Sequence, residues 1–141
     1  MPSWDEIRAH LLHRHAVVSD GAHGVGLVRR FRPPETAAAL EQRIKVERAV
    51  AHDSDWILIR AAVCAAHRID APSALRWNAL HAVGTLAIDG AYCILRTALG
   101  LDSLTLRDLD RALEVIARVA VGMRDRARTA PETLPFTPYE D

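Results

Sequence analysis

The most regular pattern in the chain lies toward its C-terminal end, where Leu106, Leu109, Leu113, Ile116, Ala120, Met123 and Ala127 recur at alternating three- and four-residue steps. That spacing places all of them on one stripe of a helix, and the stripe must lie on something apolar. Thr105 can cap the first turn with its hydroxyl, Asp108 three residues on completes a capping box, and Leu104 can staple onto Leu109. The pattern therefore predicts a helix opening at Leu106. The same signature, Ser3 followed by Glu6, precedes Trp4, Ile7 and Leu11, which share a face. This predicts a first short helix ending near Arg14.

Between these helices the period changes to that of strands. Residues 16–19 and 25–31 read as two short strands, separated by Asp20-Gly21-Ala22-His23-Gly24 with its two glycines. Arg32-Pro33-Pro34-Glu35 imposes extended or turn geometry, and residues 36–40 read as one helical turn. From 42 to 51 the chain alternates, with Ile44, Val46 and Val50 on one side and Arg43, Lys45, Glu47 and Ala49 on the other. After the turn His52-Asp53-Ser54-Asp55, residues 56–66 are apolar except for Arg60, the pattern of a central strand covered on both faces. Asp70 or Ala71 caps a helix with Pro72 in its first turn, running to Val83 and stopped by Gly84. Leu75, Ala79, Ala82 and Val83 give that helix an apolar face, with Trp77 and Leu80 toward its edge. Residues 85–89 and 91–98 read as a hairpin around Asp89-Gly90.

This order predicts an α+β domain, an antiparallel sheet of about five strands covered by helices. It occupies residues 1–128 as a single domain, followed by a tail over 129–141 that carries Pro131, Pro135 and Pro138 and reads as extended or disordered. A chain of 141 residues can bury a core without disulfide or metal support. Cys64 and Cys93 sit in apolar segments and read as free, buried thiols. No apolar run approaches the roughly 18 residues needed to cross a bilayer, and the N-terminus has no signal-peptide pattern. The chain therefore reads as cytoplasmic, with no membrane partner.

Charge removes one further class. The 18 basic and 18 acidic residues cancel, so no global field holds a nucleic acid. Every basic residue except Lys45 is Arg, which fits a GC-rich coding bias as well as it fits phosphate recognition.

Candidate chemistry is sparse. His10 and His13 have helical ligand spacing with His15 nearby, but no acidic or Cys ligand of matching spacing completes a set, so no metal ligand is assigned. Cys64 and His67 could pair as nucleophile and base, though a buried Cys at a strand end accounts for the residue. Asp53 and Asp55 fit a turn, and Asp108 and Asp110 fit the first turns of a helix. Gly21 to Gly26 lacks the lysine of a phosphate loop. The chain reads as non-catalytic and without a cofactor. Arg60 must snorkel or be paired, and Asn78 is placed to satisfy backbone groups of a neighbouring loop. Arg29, Arg30 and Arg32 beside Phe31 form the densest basic cluster.

The run Leu75-Arg76-Trp77-Asn78, then Gly84-Thr85-Leu86-Ala87-Ile88-Asp89-Gly90-Ala91-Tyr92-Cys93-Ile94-Leu95-Arg96, then Leu99-Gly100-Leu101-Asp102-Ser103-Leu104 resembles the type III secretion chaperone-like superfamily. That bacterial superfamily includes the class I secretion chaperones and the YbjN-type putative regulators. The resemblance spans roughly residues 42–127 and implies an α+β sandwich that dimerises and binds another polypeptide. It transfers no site residue. The sequence thus leads to a chaperone-like adaptor holding a segment of a partner protein, with a YbjN-like regulator lacking fixed cargo as the alternative. Arg29, Arg30 and Phe31 are the candidate partner-binding residues, and Trp77 and Leu80 the candidate homodimer surface.

Overall fold

Helix α3 (Leu106–Thr129) is built as its periodicity dictates. The Thr105 hydroxyl accepts the Asp108 N–H at 3.1 Å, capping the first turn. Leu109, Leu113, Ile116, Ala120, Met123 and Ala127 are buried, joined by Ala117 and Val121. The computed structural model describes residues 2–32 and 40–129. The other elements are α1 (Trp4–Arg14), β1 (Ala16–Asp20), β2 (Gly24–Phe31), β3 (Leu40–Ala51), β4 (Ser54–Ala65), α2 (Ala71–Leu80), β5 (Thr85–Asp89) and β6 (Tyr92–Gly100). The helical turn expected over 36–40 and the proline-rich tail fall largely outside the described residues. Their described ends belong to regular elements, since Leu40 opens β3 and Thr129 closes α3.

The strands form one antiparallel sheet in the order β1-β2-β3-β4-β6-β5, six rather than the expected five or so. Its turns follow residue chemistry. His52 and Asp53 both adopt positive φ between Ala51 and Ser54, as the two-residue β3–β4 loop requires. Gly90, at φ 60°, starts the Gly90-Ala91 turn between β5 and β6.

The helices lie on one face. α3 packs across β3, β4 and β6, α1 beside β1, and α2 beside β5. Val25, Leu27, Ile44, Val46, Ile57, Ile59, Ala61, Val63 and Leu95 point into that layer and are buried. The expectation that β4 is covered on both faces is corrected: Ile57, Ile59, Ala61 and Val63 are buried, while Leu58, Arg60 and Ala62 alternate onto a face that no helix among the described residues covers. Short side chains and one aliphatic neighbour made the run look continuous, and Arg60 was the sign that it was not. Val50, one pair from the hairpin tip, is 70% exposed instead of lying with Ile44 and Val46, because the tip extends past the helical cover.

Helix α2 is also turned from the expected orientation. Asp70 caps it, accepting the Ser73 N–H at 3.0 Å, but it ends at Leu80 and buries Ser73, Ala74 and Trp77. Leu75 is 69% and Leu80 81% exposed. Two forces set this rotation. The Trp77 indole offers the largest apolar area and stacks on His81 at 3.9 Å. Asn78 donates to the Leu86 carbonyl at 3.2 Å and accepts the Leu86 N–H at 2.8 Å, acting as a strand partner for edge strand β5. Gly84 follows the helix at φ 82°, where an added Cβ would lie 2.9 Å from Leu95 Cδ1, so only glycine lets the chain pass this close to the core.

Leu113 is at the centre of the α3 layer and 1% exposed. Leu113→Ala is expected to cost about 2–5 kcal/mol, measured by thermal or urea unfolding. A variant as stable as wild type would remove α3 from the core.

Candidate functional site

Side chains that alternate away from the helices form an open face whose rows are fixed by register. Lys45, Arg60 and Arg96 stand side by side across β3, β4 and β6. Next to them run Val28 and Arg43 across β2 and β3, and Ala62, Ile94 and Ala87 across β4, β6 and β5. On the other side are Glu47, Leu58 and Ala98. Arg60 is paired, as its position demanded: it reaches Glu47 at 2.6 Å and Asp89 at 2.8 Å. Among the described residues Arg43 and Arg96 have no ion pair. Arg30 and Glu41 pair at 2.9 Å at the margin of this face.

A groove of about 540 Å³ crosses the face, lined by Val18, Gly26, Arg43, Arg60, Ala62, Tyr92 and Ile94 among others. Its floor is low where side chains are smallest. Gly26 has no room for a Cβ, which would sit 2.3 Å from Ser19 Oγ, and Ala62 presents one methyl. Beneath it, the buried Gln42 amide donates to the Ala62 carbonyl at 3.2 Å, near the bulge between Ala62 and Cys64, and accepts from Arg124 of α3 at 3.3 Å. The exposed apolar atoms and the Arg43 guanidinium, without an ion pair among the described residues, suit an extended segment carrying apolar and acidic side chains.

The structure separates the sequence-predicted residues. Arg29 and Phe31 face α3, where Arg29 pairs with Glu114 and Phe31 lies between the guanidinium groups of Arg29 (5.6 Å) and Arg118 (5.7 Å). Arg30 points the other way. Trp77 is in the core and Leu80 is exposed. Leu75, Val83 and Ile88 are exposed as well, and of these Leu75 and Ile88 line one cleft of about 360 Å³ together with Ile69, Ala74 and Leu86, while Leu80 is on another side of α2. Cys64 and Cys93 are free thiols paired in register across β4 and β6. A hydrogen bond from Cys93 lowers the Cys64 thiol, while the same bond and then burial push Cys93 well above the ordinary range. His67 is exposed on the following turn.

One cluster could not be found from local spacing. His10 on α1 and His15 just beyond it both meet Asp110 of α3, with Nε2 to carboxylate distances of 2.9 Å and 3.0 Å. His13, the helical neighbour that drew attention in sequence, is exposed. Burial pushes the Asp110 carboxyl up, but the hydrogen bonds from His15 and His10 outweigh it and hold the group below the usual carboxylate range.

No protein-family model matches the sequence, and no curated protein matches it. The fold is similar to that of a chain in the solved HopA1–SchA chaperone-effector complex, with a TM-score of 0.55 at 13% identity over 84% of this chain and 88% of that one. This is a likeness of fold, and it agrees with the chaperone-like α+β architecture expected from sequence. No described helix is long and apolar enough to cross a membrane.

Glu114 gives the α3–sheet contact a pH dependence. The Arg118 hydrogen bond lowers its carboxyl, outweighing burial, and the charge of Arg29 adds to the shift. A carboxylate held lower in the folded state than in the unfolded one contributes stability above the ordinary glutamate range, and loses it as pH falls through the folded value. Glu114→Gln is therefore expected to lower the melting temperature at neutral pH and to converge on wild type in acid well below about pH 4.3. A pH-independent difference between the two melts would assign Glu114 a packing role only.

Proposed function

We propose that this chain is a non-catalytic, chaperone-like module that holds a segment of another polypeptide along the open face of its sheet. The observation that carries the reading is the face itself, where a groove with an apolar floor is lined by Arg43, with Arg96 in register beside its lining residue Arg60, and neither Arg43 nor Arg96 has an ion pair among the described residues. The fold likeness to a chain of a chaperone-effector complex supports the same class of partner. Binding replaces water over Ala62, Ile94 and Tyr92 with apolar side chains, and acidic residues of the segment engage the free guanidinium groups. Of the candidate residues read in sequence, Arg30 is at the margin of this face, while Arg29 and Phe31 pack toward α3.

The chain also pairs with a second copy of itself, through the exposed surface of α2 and β5. Leu75 and Ile88, which line one cleft, and Leu80 on another side of α2 are each more than half exposed, large aliphatic side chains that a contact would cover. The expected mass by light scattering is that of a dimer at tens of micromolar, and Leu80→Asp with Leu75→Asp yields monomer. A wild-type monomer would reject the pairing without touching the groove.

The binding function is tested by affinity capture from the native lysate with wild type and the double variant Arg43→Glu, Arg96→Glu. Wild type is expected to retain a specific polypeptide that the variant loses while melting at the same temperature. Equal capture by both, or enrichment of a nucleic acid or small molecule in place of protein, would overturn the reading.

A further inference from the structure

The His10–His15–Asp110 cluster lies apart from the groove and from the α2–β5 surface, and neither function uses it. His10 and His15 are five residues apart in sequence, too far for one helical face, yet both reach the same carboxylate. They do so because α1 stops at Arg14 and His15 takes extended backbone, φ −128° and ψ 157°, which swings its ring back beside His10. The third group comes from a residue 100 positions from His10 and 95 from His15. The two imidazoles are mostly covered, at 15% and 14% exposure, and the Asp110 side chain is partly open at 34%.

We propose that His10, His15 and Asp110 form a binding site for a first-row divalent transition-metal cation such as Zn²⁺. Two imidazole nitrogens and one carboxylate are the donor set these borderline ions take, whereas Mg²⁺ and Ca²⁺ favour oxygen ligands throughout. The geometry is close to what coordination needs. With metal–ligand bonds of about 2.0–2.1 Å, the edges of a tetrahedron are about 3.3 Å. The two histidine–carboxylate distances, 2.9 and 3.0 Å, are within a few tenths of an ångström of that edge. All three donor atoms lie within 4.8 Å of one another, so the remaining adjustment is a closer approach of the two imidazoles.

Without a cation, each imidazole donates an Nε2–H to Asp110. With one, each neutral ring takes the other tautomer, its single proton moving through solvent from Nε2 to Nδ1, and the freed Nε2 lone pair turns to the metal. Three protein ligands leave a coordination position for water. The ion ties the start of the chain to the second turn of α3, so it stabilises the folded chain by mass action wherever it binds the folded form alone.

The test uses the untagged chain, titrated with ZnCl₂ by calorimetry and melted with and without the ion, and with Co²⁺ as a spectroscopic substitute. Wild type is expected to take up one ion per chain saturably, to melt at a higher temperature with Zn²⁺, and to give Co²⁺ the intense visible bands of a four- or five-coordinate site. Asp110→Asn and His15→Ala lose all three responses, while His13→Ala, which removes the exposed neighbour, keeps them. Equal uptake by wild type and Asp110→Asn, or loss of uptake in His13→Ala, would overturn the site. The cobalt spectrum decides even where a variant fails to fold, because it is read on the unmodified chain: the weak spectrum of the hydrated ion would overturn the proposal.

Discussion

The structure depends on one contact, the apolar stripe of α3 laid across a single face of the sheet. Leu109, Leu113, Ile116, Ala120 and Met123 are fully or almost fully buried there, against strands whose inward residues are equally closed. Polar clamps hold its position. Arg29 and Arg118 both engage Glu114, and Arg124 reaches Gln42 on β3. Because α1 and α2 join α3 on the same side, no helix among the described residues covers the opposite face. The fold thus concentrates its apolar burial in one layer and leaves a second surface, six strands wide, whose residues are free to serve something else.

Much of this was legible in the sequence because the signals were local. Ser3, Asp70 and Thr105 each cap the helix their spacing announced, and the alternation of Ile44 and Val46 with charged neighbours identified β3. Arg60 and Asn78 were also readable: a charge within an apolar strand must find anions, and an amide within a helix facing a loop must find backbone. Other features depend on distances the sequence does not contain. The rotation of α2 is set by Trp77 packing and by Asn78 bonding Leu86 eight residues later, which outweighs the apolar spacing of Leu75, Ala79 and Ala82. Asp110 had a sufficient explanation as an acidic residue near a helix start, and nothing in the spacing of the histidines pointed to it.

The same lesson applies to the candidate binding residues. The density of Arg29, Arg30, Phe31 and Arg32 suggested one surface, but strand alternation sends Arg29 and Phe31 to α3 and Arg30 to the open side. Arg43 and Arg96, which have no ion pair among the described residues, come from different strands and are isolated in sequence. Only the pairing of β3, β4 and β6 brings Arg43 to the groove lining and Arg96 beside Arg60, which lines it. A surface assembled in this way has no linear motif in the sequence.

The central claim is that the open sheet face, and not the helical side, meets the partner polypeptide. Site-specific photo-crosslinking in the native cell tests it most directly, with the reactive group placed in turn at Ala62 on the groove floor and at Arg107, an exposed position on α3. The account predicts a discrete crosslinked polypeptide from position 62 and none from position 107. Crosslinking from position 107 with none from position 62 would contradict it.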